Sequence, residues 1–216
     1  MYTLAFDTTS RKVHLAILQK DKILFEREWK SNANEAETLI KTIKSFADDT
    51  PMFFQQLKKI VVVQGPGGFN GTRAGVVVAN MLMWLTGAHM TTYKTFDWWK
   101  NRLKKEEKEL KPHLLLRATE QEIYVDGKEV EFESFVKEIK KKKKVKYIGF
   151  GELSPTQQFA FKDIENFQWI ETASLLSFGS VMKEMANSGS GKKSPASVLY
   201  TRPPHITQAK KKTKYV

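Results

Sequence analysis

The chain contains no cysteine in 216 residues. No disulfide framework and no thiolate metal site can form, which suits a reducing compartment. Histidine is scarce as well. His14, His89, His113 and His205 fall on separate predicted elements, and no pair has the spacing of a helical metal site. Long apolar runs are missing too: the densest, Gly75–Leu85, is well short of the roughly 18–20 residues that cross a bilayer. The N-terminus, MYTLAFDTTS, has Asp7 and no basic segment ahead of a long apolar stretch, so no secretory leader is expected. There is no internal sequence repeat, no Walker lysine and no Ser-His-Asp order with motif support. Without a poised acid, base, nucleophile or metal cluster, no catalytic residue is assigned. A cytoplasmic protein with no membrane attachment is expected.

What the chain does have is concentrated in residues 61–85, VVVQGPGGFNGTRAGVVVANMLMWL. The β-branched run Ile60–Val63 predicts a buried strand. Gly65, Pro66, Gly67, Gly68 and Gly71 then predict a tight strand-to-helix turn. A helix follows from about Thr72, with Asn70 as its candidate N-cap. Two readings of the turn are open. Free N–H groups at a helix start suit phosphate, but the loop lacks the lysine of a Walker motif and the spacing of GxGxxG, which favours a purely structural turn. The helix is apolar nearly all round and needs cover on several sides.

The net charge is +12, and two segments carry most of it. Lys140–Lys144 with Lys146 supply six lysines, and Lys210, Lys211, Lys212 and Lys214 supply four. Such runs attract phosphate backbones or are simply solvated. No aromatic is interleaved in the Lys140–Lys144 run to stack on bases.

In chain order, strands are predicted at Tyr2–Phe6, Val13–Gln19 and Ile23–Trp29, joined by hairpin-length connections. A helix over Asn34–Phe46 shows one apolar face. Pro51–Lys59 is a connection, His89–Tyr93 a strand, and Thr95–Leu110 a helix with Thr95 as candidate cap. A lobe boundary is placed at residues 111–113. Beyond it come strands at His113–Thr119, Glu122–Val125 and Lys128–Phe132, with an Asp126-Gly127 hairpin turn. Helices at Glu133–Lys144, Pro155–Lys162 and Ala173–Ala186 alternate with strands at Val145–Phe150 and Gln168–Ile170. Residues 187–194 are a flexible stretch. The expected units are 1–111, a smaller α/β lobe over 112–205, and a basic tail over 206–216.

Three antiparallel strands with Asp7-Thr8-Thr9-Ser10 after the first resemble the opening of the sugar-kinase, actin and heat-shock ATPase superfamily. GPGGFNGTRAG (Gly65–Gly75) resembles the GPGSFTGLRIG signature of the TsaB family, the bacterial partner subunits for tRNA threonylcarbamoyladenosine synthesis. AFDTTS (Ala5–Ser10) is similar to that family's AIDTST-like start. Glu35–Ile43 corresponds to a helix that often opens HSExLLPxI, without the His-Ser pair. Residues 117–124 (RATEQEIY) and 198–204 (VLYTRPP) are partial matches to further family passages, with Val198 in place of a proline and Arg202 kept.

The resemblance implies a two-lobed α/β fold of the actin/sugar-kinase/heat-shock-ATPase type, built on a ribonuclease H-like motif, with a reduced second lobe. It implies a vestigial phosphate loop at Asp7, Thr8, Thr9 and Ser10, and a signature turn carried by Gly65, Pro66, Gly67, Gly71, Arg73 and Gly75. No metal and no cofactor beyond weak nucleotide binding is expected. The implied function is a non-catalytic partner of TsaD, which holds the metal and transfers threonylcarbamoyl to the adenosine beside the anticodon; TsaE, an ATPase, completes the cycle. Leu39, Ile40, Ile43, Val76, Ala79 and Met83 are the expected partner face. Alternatives are a small ATP-dependent kinase using Asp7 to organise magnesium, a homodimer, and a self-associating scaffold that binds RNA through its lysine tail; tRNA is expected to be met indirectly or through the basic segments.

Overall fold

The structure, a computed structural model, describes residues 1–188 and 191–201. Arg202 and the Lys210–Lys214 tail lie outside the described residues. The first sheet begins with three antiparallel strands, β1 (Tyr2–Asp7), β2 (Lys12–Gln19) and β3 (Lys22–Lys30). Two more, β4 (Leu57–Val63) and β5 (His89–Tyr93), run parallel to β1, giving the order β3-β2-β1-β4-β5. The central strands are buried on both faces, so their side chains divide by period two. Leu4, Phe6, Ile60 and Val62 face α1 (Glu35–Asp48) and α3 (Phe69–Thr86). Ala5, Ala16, Val61 and Val63 face the other way, toward the second lobe. A short helix, α2 (Phe53–Gln56), occupies what the sequence presents as a connection, and β4 starts directly after it.

The second sheet contains β6 (His113–Arg117), β7 (Glu122–Val125), β8 (Lys128–Glu131), β9 (Tyr147–Glu152) and β10 (Phe167–Trp169). Its order, β8-β7-β6-β9-β10, has the same three antiparallel and two parallel strands as the first. The architecture therefore repeats although the sequence does not. Leu114 and Leu116 pack into the core between the sheets, while Leu115 packs with Val136 and Ile139 of α6 (Phe132–Lys141) on the far face. The Asp126-Gly127 turn has positive φ at both residues, 52° and 90°, as a two-residue hairpin requires. This is the two-lobed α/β fold of the actin and sugar-kinase type.

Two predicted helices are broken, and one contact accounts for both. The 95–110 segment divides into α4 (Thr95–Asn101) and α5 (Lys105–Glu109). After the short α7 (Pro155–Phe159), the 173–186 segment divides into a 3-10 turn (Thr172–Ser174) and α8 (Phe178–Ser188). Between the halves, Leu176 N donates to Arg102 O at 2.8 Å and Arg102 Nε donates to Leu176 O at 3.0 Å. Each break frees backbone groups that the other satisfies.

After this crossing the chain returns to the first sheet. α8 packs on β2 and β3, and Lys192 pairs with Met90 across an isolated bridge. Asn80 exchanges hydrogen bonds with Ala196, and Leu199 N donates to Gln64 O at 2.8 Å. Thus 178–188 and 191–201, expected with the second lobe, are built onto the first. The start of α8 is held by Glu26 on β3, which accepts from Gly179 N at 2.8 Å and Ser177 Oγ at 3.0 Å. A carboxylate there satisfies a free N–H and opposes the helix dipole. Replacing Glu26 with Ala is expected to lower unfolding free energy by about 1–2 kcal/mol in urea denaturation.

Candidate functional site

The turn after β1 lies directly across the start of α3. Gly68 N donates to Thr9 O at 2.6 Å, and Thr8 Oγ1 donates to Gly71 O at 2.8 Å. A Cβ on Gly67 would collide with the Thr9 backbone, one on Gly71 with Thr8 O, and one on Gly75 with Thr8 Oγ1. The signature glycines are thus spaced to seat Thr8 and Thr9 against the helix. Gly65, at φ +109°, is pressed against Leu199 O from the returning segment. Tyr200 stacks on Phe69 with ring centroids 5.2 Å apart, and the Arg73 guanidinium lies 5.0 Å over the same ring. Three of the passages that carry the family resemblance, residues 5–10, 65–75 and 198–201, therefore meet at one place.

This contact moves the helix start. α3 begins at Phe69 with Gly68 as its cap residue, and Asn70 lies inside the first turn rather than capping it. Thr95 does not cap α4 through its side chain; its hydroxyl donates to Pro66 O at 2.6 Å and its N–H to Gly65 O at 2.9 Å.

Asp7 points into the protein. Its Oδ1 accepts from Thr9 N and its Oδ2 from Trp98 Nε1, each at 2.8 Å. Burial raises its pKa from 3.8 to about 6, with the two hydrogen bonds opposing the shift. Its cross-strand neighbour His14 is buried against Trp98 and Phe178. Burial lowers the His14 pKa to about 3, so its 3.6 Å approach to Glu28 is no ion pair at neutral pH. Arg102 lies over both Trp98 and Trp99, at 5.2 and 4.6 Å, and burial lowers its pKa against the pull of Glu28 and Glu152. None of Trp98, His14 or Arg102 was singled out from sequence. The adjacent pair Trp98-Trp99 was the available signal, because paired indoles need buried partners for their N–H groups.

Between the lobes lies a cleft of about 460 Å³. Thr8, Thr9, Ser10, Gly67 and Gly68 form one wall, and Arg117, Tyr124 and Glu152 stand opposite. Arg11, Lys12 and Lys30 add positive charge. Burial raises the Glu152 pKa, with a hydrogen bond from Ser10 acting against it. The cleft lies where the superfamily resemblance places a nucleotide, but Gly68 N and both Asp7 oxygens are already engaged by the chain itself.

The expected partner face is partly inside. Leu39, Ile43, Val76 and Ala79 are enclosed in the core between α1, α3 and the first sheet, where they are unavailable to a partner. The correction follows from the α1–α3 packing: the residues facing the neighbouring helix were assigned outward. Met83 is half-buried and Ile40 is exposed. The open face of α3 instead shows Val77, Met81, Trp84 and Leu85, with Val77 65%, Trp84 81% and Leu85 61% exposed. These residues follow helical spacing along one side.

Two outcomes are expected from this geometry. Gly67→Ala should destabilise the fold by about 2–3 kcal/mol in urea denaturation, whereas Gly68→Ser should be tolerated, because a Cβ there meets Thr9 O at an ordinary 3.5 Å. The second concerns pH. Asp7 has a raised folded pKa, so its contribution is fully present below pH 3.8 and is lost as pH rises through about 6. His14 has a lowered one, so its contribution is present above pH 6.5 and is lost as pH falls toward 3. The two oppose each other between pH 4 and 6. Asp7→Asn should therefore lose about 2–3 kcal/mol more than the parent on acidification across that range, measured by urea denaturation at each pH.

Comparison with known proteins agrees with the arrangement. Residues 30–211 match the family model described as TsaD: tRNA N6-adenosine threonylcarbamoyltransferase. Over 84 residues the chain is 34% identical to the tRNA threonylcarbamoyladenosine biosynthesis protein TsaB of Bacillus subtilis, a stretch spanning 39% of this chain and 37% of that protein. A Pseudomonas aeruginosa protein described as similar to peptidase YEAZ superposes with a TM-score of 0.65 at 15% identity, covering 93% of this chain and 99% of that one. YeaZ from the same organism gives 0.61 at 14% identity, covering 93% and 100%. At that identity the two structures establish the fold alone. The matched family model spans most of the sequence, and the passages that resemble TsaB converge in space: the chain belongs to the family described as TsaD: tRNA N6-adenosine threonylcarbamoyltransferase, and its curated relative there is TsaB.

Proposed function

We propose that this chain is a non-catalytic subunit that joins a TsaD-type protein in making N6-threonylcarbamoyladenosine in tRNA, in the cytoplasm and with TsaE completing the cycle. The observation that carries this reading is the closed phosphate loop. A kinase of this superfamily needs the first turn and its aspartate to reach phosphates and magnesium across the cleft. Here Thr9 O occupies Gly68 N, and Asp7 is held by Trp98 and Thr9. The small ATP-dependent kinase is correspondingly disfavoured. The family membership supplies the pathway.

The open face of α3 is the surface this reading assigns to the partner. Trp84, Leu85, Val77 and Met81 form an apolar stripe of the kind that marks protein contacts. An exposed tryptophan at its centre suits a binding hot spot, and methionine adapts to an opposing surface. The same stripe would serve a homodimer when the partner is absent.

Mixing the chain with its cognate TsaD-type protein should give a single co-eluting species in size-exclusion chromatography. Trp84→Lys should weaken that association by about 30-fold or more, the scale of a hot-spot residue, while thermal stability changes little because the side chain is exposed. Separate elution of the two parent proteins at micromolar concentration would contradict the reading.

A further inference from the structure

The lysine turn of the second lobe is held in a fixed shape. α6 ends at Lys141, and its inner face is anchored by the buried Val136 and Ile139. The chain then turns through 142–146 into β9. Asn166 fastens this turn: its Nδ2 lies 3.1 Å from Ile139 O, 3.1 Å from Lys142 O and 2.9 Å from Val145 O. Tyr147 N donates to Asn166 O at 2.8 Å, and Val145 N to Lys142 O at 2.8 Å. Asn166 therefore ties the helix end and the turn through its side-chain amide and the next strand through its backbone carbonyl, and the lysines project from a fastened support.

Helix-dipole compensation explains only part of the charge. Lys140 and Lys141 lie in the last turn of α6, where a cation is favourable, but that effect fades within a turn. Lys142, Lys143, Lys144 and Lys146 lie beyond it. All six lysines are exposed, and among the described residues only Lys142 has a carboxylate within ion-pair distance, Glu138 at 2.5 Å. So many like charges on a fixed turn repel one another. A polyanion relieves that repulsion and gains from counterion release.

From this geometry we infer that the Lys140–Lys146 turn is a docking surface for the sugar–phosphate backbone of RNA, separate from the cleft and from the α3 face. β9 separates the turn from Glu152 in the cleft by about 16 Å, at ~3.3 Å per residue. No aromatic interrupts the lysine run to stack on bases, so the contact is to phosphates and carries no sequence preference. Val145 is the only exposed apolar side chain in the turn, which gives an anionic membrane little to anchor. The choice of RNA rests on the tRNA-modification reading above.

The test uses the full chain with Lys140, Lys143, Lys144 and Lys146 all changed to Ala, and measures Kd for an unmodified tRNA transcript over a salt series. The expected result is binding weaker by about tenfold or more near 0.1 M salt, with the slope of log Kd against log salt reduced by about three. Unchanged affinity and slope would overturn the inference, as would parent protein that binds anionic phospholipid vesicles and not the transcript. Asn166→Ala, which keeps every charge but frees the turn, should bind a few-fold more weakly with the slope retained; undiminished affinity would overturn the claim of a built surface. The four-lysine variant should still co-elute with the TsaD-type protein. If the parent fails to co-elute but the RNA results hold, the subunit reading falls and this surface stands. If co-elution holds and the RNA results fail, only this inference falls.

Discussion

The structure depends on a close approach of backbone to backbone. The Thr8–Thr9 turn sits against the first two turns of α3 at a distance that only Gly67, Gly71 and Gly75 permit. Two hydrogen bonds, Gly68 N to Thr9 O and Thr8 Oγ1 to Gly71 O, fix the contact. From it follow the early start of α3, the seat of Thr95 on the Pro66 carbonyl, and the binding of the returning Leu199 across Gly65. The same contact engages the Gly68 N–H, one of the donors at the start of α3. A turn rich in backbone donors is tied at Gly68 to the chain itself, and the helix it begins keeps an exposed apolar outer face.

Beneath that turn lies a second arrangement that the fold sustains at some expense. Asp7, His14 and Arg102 are buried around Trp98, and burial disfavours the charged form of each. Trp98 Nε1 and Thr9 N give the Asp7 carboxylate two donors, while the faces of Trp98 and Trp99 receive the Arg102 guanidinium. The cluster joins β1 and β2 to α4 and α8, so it holds the first sheet and the returning segment at one point. Asp7 thus serves the fold as a buried acceptor.

Much of this was legible in the sequence. The β-branched run at Ile60–Val63, the Asp126-Gly127 hairpin and the alternating first strands carry their periodicity openly. The pairing of the two signatures gave the fold. Three things were hidden, each for a physical reason. The broken helices at 102–104 and 175–177 satisfy each other's backbone across 74 residues, which no local pattern reports. The duplicated strand order lives in hydrogen bonding and not in residue identity. On α3, apolar residues occur on every side, so periodicity alone could not separate Val76 and Ala79, which face the core, from Val77 and Trp84, which face out. The neighbour that the glycine turn packs against, the Thr8–Thr9 backbone, lies some sixty residues upstream, beyond the reach of any local pattern.

The central claim is that the Gly68 N–H of the glycine-rich turn is already occupied by the chain's own backbone. Amide hydrogen exchange at Gly68, followed by NMR with and without saturating Mg-ATP, addresses it most directly. The account predicts that this amide is strongly protected in the nucleotide-free protein and that Mg-ATP leaves its exchange rate unchanged. Rapid exchange alone, with protection appearing only when nucleotide is added, would contradict it.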